Sequence, residues 1–138
     1  TCPFVIQWED RYDDVAGLAK RYGIGTTLIN SNEAKREGDD SFEMMVEHAK
    51  EMNYFMPYLL DENSKLANAF GAKTTPHIFL FDGQNQLVYS GSIDDNSKDA
   101  NAVTERYLQN ALNELGMGKE ISLKETSAKG CSIKRIKE

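Results

Sequence analysis

The feature that most constrains this chain is a cysteine and a proline at the head of a long amphipathic repeat. Behind Thr1-Cys2-Pro3, the residues Phe4, Val5, Trp8, Tyr12, Val15, Ala19 and Tyr22 recur at three- and four-residue steps, which predicts a helix running to Gly23. Proline suits the first helical turn, where its missing N–H has no intrahelical partner to lose, so Cys2 falls at or next to the N-cap. Unpaired amide N–H groups and the positive end of the helix dipole favour a thiolate there over a thiol. A reactive sulfur is therefore expected at position 2, against the plainer alternative of a buried, inert cysteine.

Beyond Gly23 the apolar spacing switches repeatedly. Ile24 to Asn30 is short and β-branched enough for a strand, and a charged loop, Glu33 to Asp39, follows it. Asp40 with Glu43 has capping-box spacing, and Phe42, Met45, Val46, Ala49 and Met52 repeat at helical intervals behind it. Tyr58 to Leu60 reads as a short extended piece. Asp61 to Ser64 offers caps for a brief helix carrying Leu66, Ala67, Ala69 and Phe70, which Gly71 is placed to end. After Thr74-Thr75-Pro76, two runs, His77 to Asp82 and Gln86 to Ser92, flank Gly83-Gln84-Asn85 as a β-hairpin. Val103, Tyr107, Leu108, Ala111, Leu112 and Leu115 mark the last helix, closed by Gly116, and the rest reads as a poorly periodic tail.

The order α, β, α, (β), α, β-hairpin, α predicts an α/β chain with the thioredoxin-like fold, three layers around a mixed sheet, lacking its first part. In that fold a central strand precedes the active-site helix and lies between the strands expected at Ile24 to Asn30 and His77 to Asp82. Without it a row of N–H and C=O groups would be buried unpaired, at about 1–3 kcal/mol each. Residues upstream of Thr1 are therefore expected, and direct pairing of those two strands would refute the expectation. The boundaries read as a domain over residues 1–117 and a tail over 118–138 that carries Cys131.

Charge and cysteine count narrow the function. With 138 residues, 40% hydrophobic and 28% charged, the chain has material for one core. A net charge of −6 argues against nucleic-acid or anionic-membrane partners, which need a concentrated basic face. The longest apolar block, Ile78-Phe79-Leu80-Phe81, is far from the roughly 18 residues of a membrane span. Cys2 and Cys131, at opposite ends, have no zinc-ligand spacing, and no metal or organic cofactor is expected. Asp94, Asn96 and Glu105 superficially resemble a calcium loop, but Lys98 occupies a ligand position and Asp99 the position that needs glycine. Asp39-Asp40 reads as a helix cap and solvated face.

Several segments together resemble the bacterial thioredoxin-like proteins of the redoxin and alkyl-hydroperoxide-reductase superfamily, whose active site typically reads Cys-Asn-x-Cys-Pro-Phe-Val. They are Thr1-Cys2-Pro3-Phe4-Val5, Glu9-Asp10-Arg11, Ile29-Asn30-Ser31-Asn32, Asp39-Asp40-Ser41, Thr75-Pro76, Phe79-Leu80-Phe81-Asp82, Leu87-Val88-Tyr89, Ile93-Asp94-Asp95-Asn96 and Gly130-Cys131-Ser132-Ile133-Lys134. The resemblance implies that Cys2 is the second member of a Cys-x-x-Cys pair, its partner two residues before Thr1, and that the pair performs thiol–disulfide exchange on a protein or small-molecule disulfide. It implies that Thr75-Pro76 is the cis-proline turn presenting backbone to an extended substrate. Cys131 is a candidate resolving or regulatory thiol.

Two other readings stay open. A peroxiredoxin-like peroxidase would need an arginine beside its cysteine, and Arg11 lies about two and a half helical turns from Cys2. A redox-inactive binding module would keep the proline groove alone. His77 follows Pro76 and could shuttle protons, although such a histidine more often just begins a strand; His48 is expected on a solvated helix face.

Overall fold

The structure is a computed structural model that describes residues 3–54 and 56–136, with the backbone alone for residues 3–5. Helices α1 (Pro3–Trp8) and α2 (Tyr12–Arg21) are followed by strand β1 (Leu28–Asn30), helix α3 (Phe42–Glu51), strand β2 (Tyr58–Leu60) and helix α4 (Lys65–Phe70). Strands β3 (Thr74–Thr75), β4 (Ile78–Phe81) and β5 (Leu87–Gly91), helix α5 (Tyr107–Gly116) and strand β6 (Cys131–Ser132) complete the order. This is a mixed α/β chain of helices and small sheets. The chain divides into two compact units, one over Thr26–Lys73 with the segment from Ser132, the other over the residues up to Gly25 with Thr74–Cys131. Among the described residues no helix is long and apolar enough to cross a membrane.

In the first unit β1 and β2 pair in parallel, Ile29 opposite Leu59, and α3 supplies the crossover that parallel strands require. Its cap differs from the expected one. Ser41, not Asp40, accepts the Met44 amide at 3.2 Å, because Asp40 is buried and its carboxylate is committed to the Asn30 and Asn32 side-chain amides at 2.9 and 3.3 Å. Arg36 gathers the same region: it donates to the carbonyls of Asn30, Asp40 and Asp61, to Asn30 Oδ1 and to Glu33. Asp61 caps α4, accepting from the amides of Leu66 and Ala67 at 2.9 Å each and from the Ser31 hydroxyl at 2.7 Å. Burial pushes its carboxyl up, but these donors and the Arg36 charge outweigh burial, so it stays below the ordinary value. Gly71, in the left-handed region, ends α4 as expected.

In the second unit the expected continuous first helix is interrupted by a 3-10 turn at Glu9–Arg11. The tighter turn brings residues three apart nearly into line, and Trp8 and Arg11 use it: the guanidinium lies 4.9 Å from the indole centroid, with both residues buried. The strand expected from Ile24 begins only at Leu28, since Ile24 is spent on the end of α2. Its amide donates to Ala19 O at 2.9 Å and that of Gly23, at φ 72°, to Lys20 O at 3.0 Å, a Schellman closure. Helices α2 and α5 pack together over a core of Trp8, Val15, Ala19, Leu80, Tyr89, Leu108 and Leu112. Helix α5 ends at Gly116 as expected, with Gly118 the glycine in the left-handed region beyond it, and a Cβ on Gly116 would lie 2.2 Å from the Tyr22 ring.

The hairpin forms between β4 and β5, with Leu80 opposite Tyr89 and a bulge before Phe81. Asp82 holds its turn by accepting from the amides of Gln84 and Gln86. Strands β1 and β4 belong to different sheets. Past α5, Ile121 enters the core, and Lys124 to Thr126 runs parallel along Ser90 of β5, Ser90 N donating to Lys124 O and Thr126 N to Ser90 O, both at 3.0 Å.

Candidate active site

Cys2 lies outside the described residues, and helix α1 begins at Pro3, the residue after it. The other expected site residues, Thr75, Pro76 and Cys131, meet in the second unit. The Thr75–Pro76 peptide bond is cis. Thr75 Oγ1 donates to Cys131 O at 3.4 Å, and all three residues are half-buried. Gly130 explains how the chain comes so near: a Cβ on it would sit 1.9 Å from Thr75 O, 2.6 Å from Thr75 C and 3.2 Å from Pro76 N. Only a residue without a side chain lets the backbone lie flat on that peptide group.

Around this contact the polar groups are unevenly satisfied. Thr74 Oγ1 is buried without a hydrogen-bond partner among the described residues. The His77 ring stacks on Phe79, centroids 4.4 Å apart and 26° between planes, as neighbours on one face of a strand do. His77 thus directly precedes β4, which begins at Ile78, one residue later than expected. His48, expected on a solvated face, is half-buried and meets Tyr54 edge-on at 5.7 Å.

Two polar clusters of the second unit escaped the sequence. Arg11 Nη1 donates to Asp94 Oδ1 at 3.2 Å and to Asn96 O, and Asp94 also accepts the Asn96 amide at 2.9 Å. Burial pushes the Asp94 carboxyl up, and Asn96 and Arg11 pull back only part of the way. Of the residues that resembled a calcium loop, Asp94 and Asn96 are thus partnered within the chain, Asn96 Oδ1 accepting the Lys98 and Asp99 amides. Among the described residues no group of three His, Cys, Asp or Glu could hold a metal ion. In the other cluster the fully buried Tyr89 hydroxyl donates to Ser92 O at 2.6 Å and lies 2.7 Å from Thr126 Oγ1; burial pushes this phenol up to about 12. Tyr89 and Thr126 are 37 positions apart, and nothing in the pattern around either residue announced the other.

No family model matches the chain, and no curated protein does. Two solved structures are similar over its whole length. The hypothetical protein SMc02350 of Sinorhizobium meliloti 1021 shares 32% identity at a TM-score of 0.89, the match covering 76% of that chain. An uncharacterized conserved protein of Geobacillus kaustophilus shares 34% identity at a TM-score of 0.85, covering 74% of that chain. At this identity and coverage the chain belongs to one family with these two bacterial proteins.

Proposed function

We propose that the protein is a thiol–disulfide oxidoreductase of thioredoxin-like type with Cys2 as a reacting thiol. The thiolate attacks one sulfur of a substrate disulfide, the S–S bond breaks, and the departing half leaves as a thiolate. Cys2 and the other half form a mixed disulfide. A second thiol of the protein then attacks the Cys2 sulfur and releases the remaining half, so the substrate gains two electrons and the protein holds a disulfide. What supports the reading is one juxtaposition: Cys131 and Gly130 are held against Thr75-Pro76, more than fifty residues away in sequence, which brings a cysteine to the turn expected to receive substrate. The start of α1 at Pro3 is consistent with an activated Cys2. Nothing favours the peroxidase alternative, because Arg11 is buried in its contacts to Asp94 and Asn96.

Differential alkylation and peptide mass spectrometry across a series of glutathione redox buffers tests the proposal. The expected result is a reversible disulfide that includes Cys2. If Cys2 joins no reversible pair, the oxidoreductase reading falls and a binding module remains.

A further inference from the structure

We propose that Gly130 and Cys131 occupy the backbone edge of Thr75 and thereby restrict the reaction to small disulfides that need no backbone pairing; this rests on the oxidoreductase reading. An extended polypeptide gains affinity by adding its main chain to an exposed strand edge. Thr75 is the residue whose backbone the thioredoxin-like reading offers to such a substrate. That edge is already engaged. The Gly130 backbone lies against the Thr75 carbonyl so closely that a Cβ would fall 1.9 Å from its oxygen, and the Thr75 hydroxyl donates to the Cys131 carbonyl at 3.4 Å. Strand β3 is paired with the strand that starts at Cys131. An incoming polypeptide must displace this strap before it can pair with Thr75, so its apparent affinity is reduced by the fraction of time the strap is away. A small disulfide without a peptide backbone needs only the sulfur.

Gly130→Ala tests this, since a methyl group at that position cannot coexist with the strap on Thr75. The probe for extended substrates is S-carboxymethylated insulin B chain, and the probe for small ones is single-turnover reduction of bis(2-hydroxyethyl) disulfide by the reduced protein. The variant is expected to bind the B chain at least about tenfold tighter than the wild type, and the wild type is expected to reduce the small disulfide. Equal affinity, tighter binding by the wild type, or no binding by either overturns the proposal.

Should Gly130→Ala fail to fold, Thr75→Val removes only the hydroxyl tether and is expected to tighten B-chain binding by a smaller factor; unchanged or weaker binding counts against the strap. In the wild type, saturating B chain is expected to accelerate amide exchange at Gly130 and Cys131, and binding that leaves exchange there unchanged or slower counts equally against it. Absence of small-disulfide reduction in every protein would instead remove the oxidoreductase reading, while the binding comparison would still decide whether the strap covers Thr75.

Discussion

Arg11 and Asp94 form a buried ion pair, Nη1 to Oδ1 at 3.2 Å, between residues 83 positions apart, with both side chains almost wholly removed from solvent. Breaking one side of such a pair leaves the other as an uncompensated buried charge. Arg11→Met is expected to destabilise the fold by about 3–5 kcal/mol, measured by urea unfolding. A loss under about 1 kcal/mol would mean that Asp94 is neutral or finds water when Arg11 is gone.

Asp61 links the fold to acid pH. Its carboxyl lies below the ordinary value when folded, so its contribution is present in full above the unfolded value of about 4 and is lost as pH falls through the folded one. Between about pH 5 and pH 2 the wild type is expected to lose more stability than Asp61→Asn. Asp61→Ala also removes the acceptor for the Leu66 and Ala67 amides and is expected to cost about 1–2 kcal/mol at neutral pH. Parallel denaturant titrations across the pH range check both.

Tyr89 acts at the other end of the scale. Because its phenol is raised to about 12, its contribution is complete below the unfolded value of about 10 and is lost as pH climbs from there through 12. Tyr89→Phe is expected to cost about 1–3 kcal/mol at neutral pH, leaving a buried Ser92 carbonyl and the Thr126 hydroxyl short of a partner, and to flatten the alkaline loss. Equal alkaline slopes in the two proteins would exclude Tyr89 as its source.

Two helix glycines should respond in opposite directions to alanine. Gly17, inside α2, has nothing within 4 Å of the point where a methyl group would stand, so Gly17→Ala is expected to stabilise by roughly 0.5–1 kcal/mol. Gly116→Ala drives a methyl into the Tyr22 ring and is expected to destabilise by about 1–3 kcal/mol. Thermal unfolding of the pair reads the sign directly.

What was legible in the sequence is what local periodicity or turn chemistry decides. Helix α3, the hairpin with its Asp82 turn and the Gly71 stop follow from residues within a few positions of one another. The break at Glu9–Arg11 was not legible, because Arg11 finds its acceptors at Asp94 and Asn96, and no helical repeat encodes a partner that distant. Asp40 does not cap α3 for the same reason: its burial beside Asn30 and Asn32 frees Ser41 for that task. At the candidate site Thr75-Pro76 stood out through resemblance, while the contact that fixes Cys131 beside it rests on the missing side chain of Gly130, a signal of one residue. The segment after α5 gave no pattern because single residues, Ile121 in the core and Thr126 in the Tyr89 cluster, anchor it one at a time.

The stretch from Lys124 to Thr126 beside Ser90 also bears on how the folded chain behaves in a crowd. A two-stranded hairpin ordinarily leaves its outer N–H and C=O groups as a template on which another chain can stack, the first step toward fibres. Here both the amide and the carbonyl of Ser90, the next-to-last residue of β5, are consumed from within. The protein carries its own blocking segment, and at Ser90 that border is closed to self-templated growth for as long as the segment stays in place.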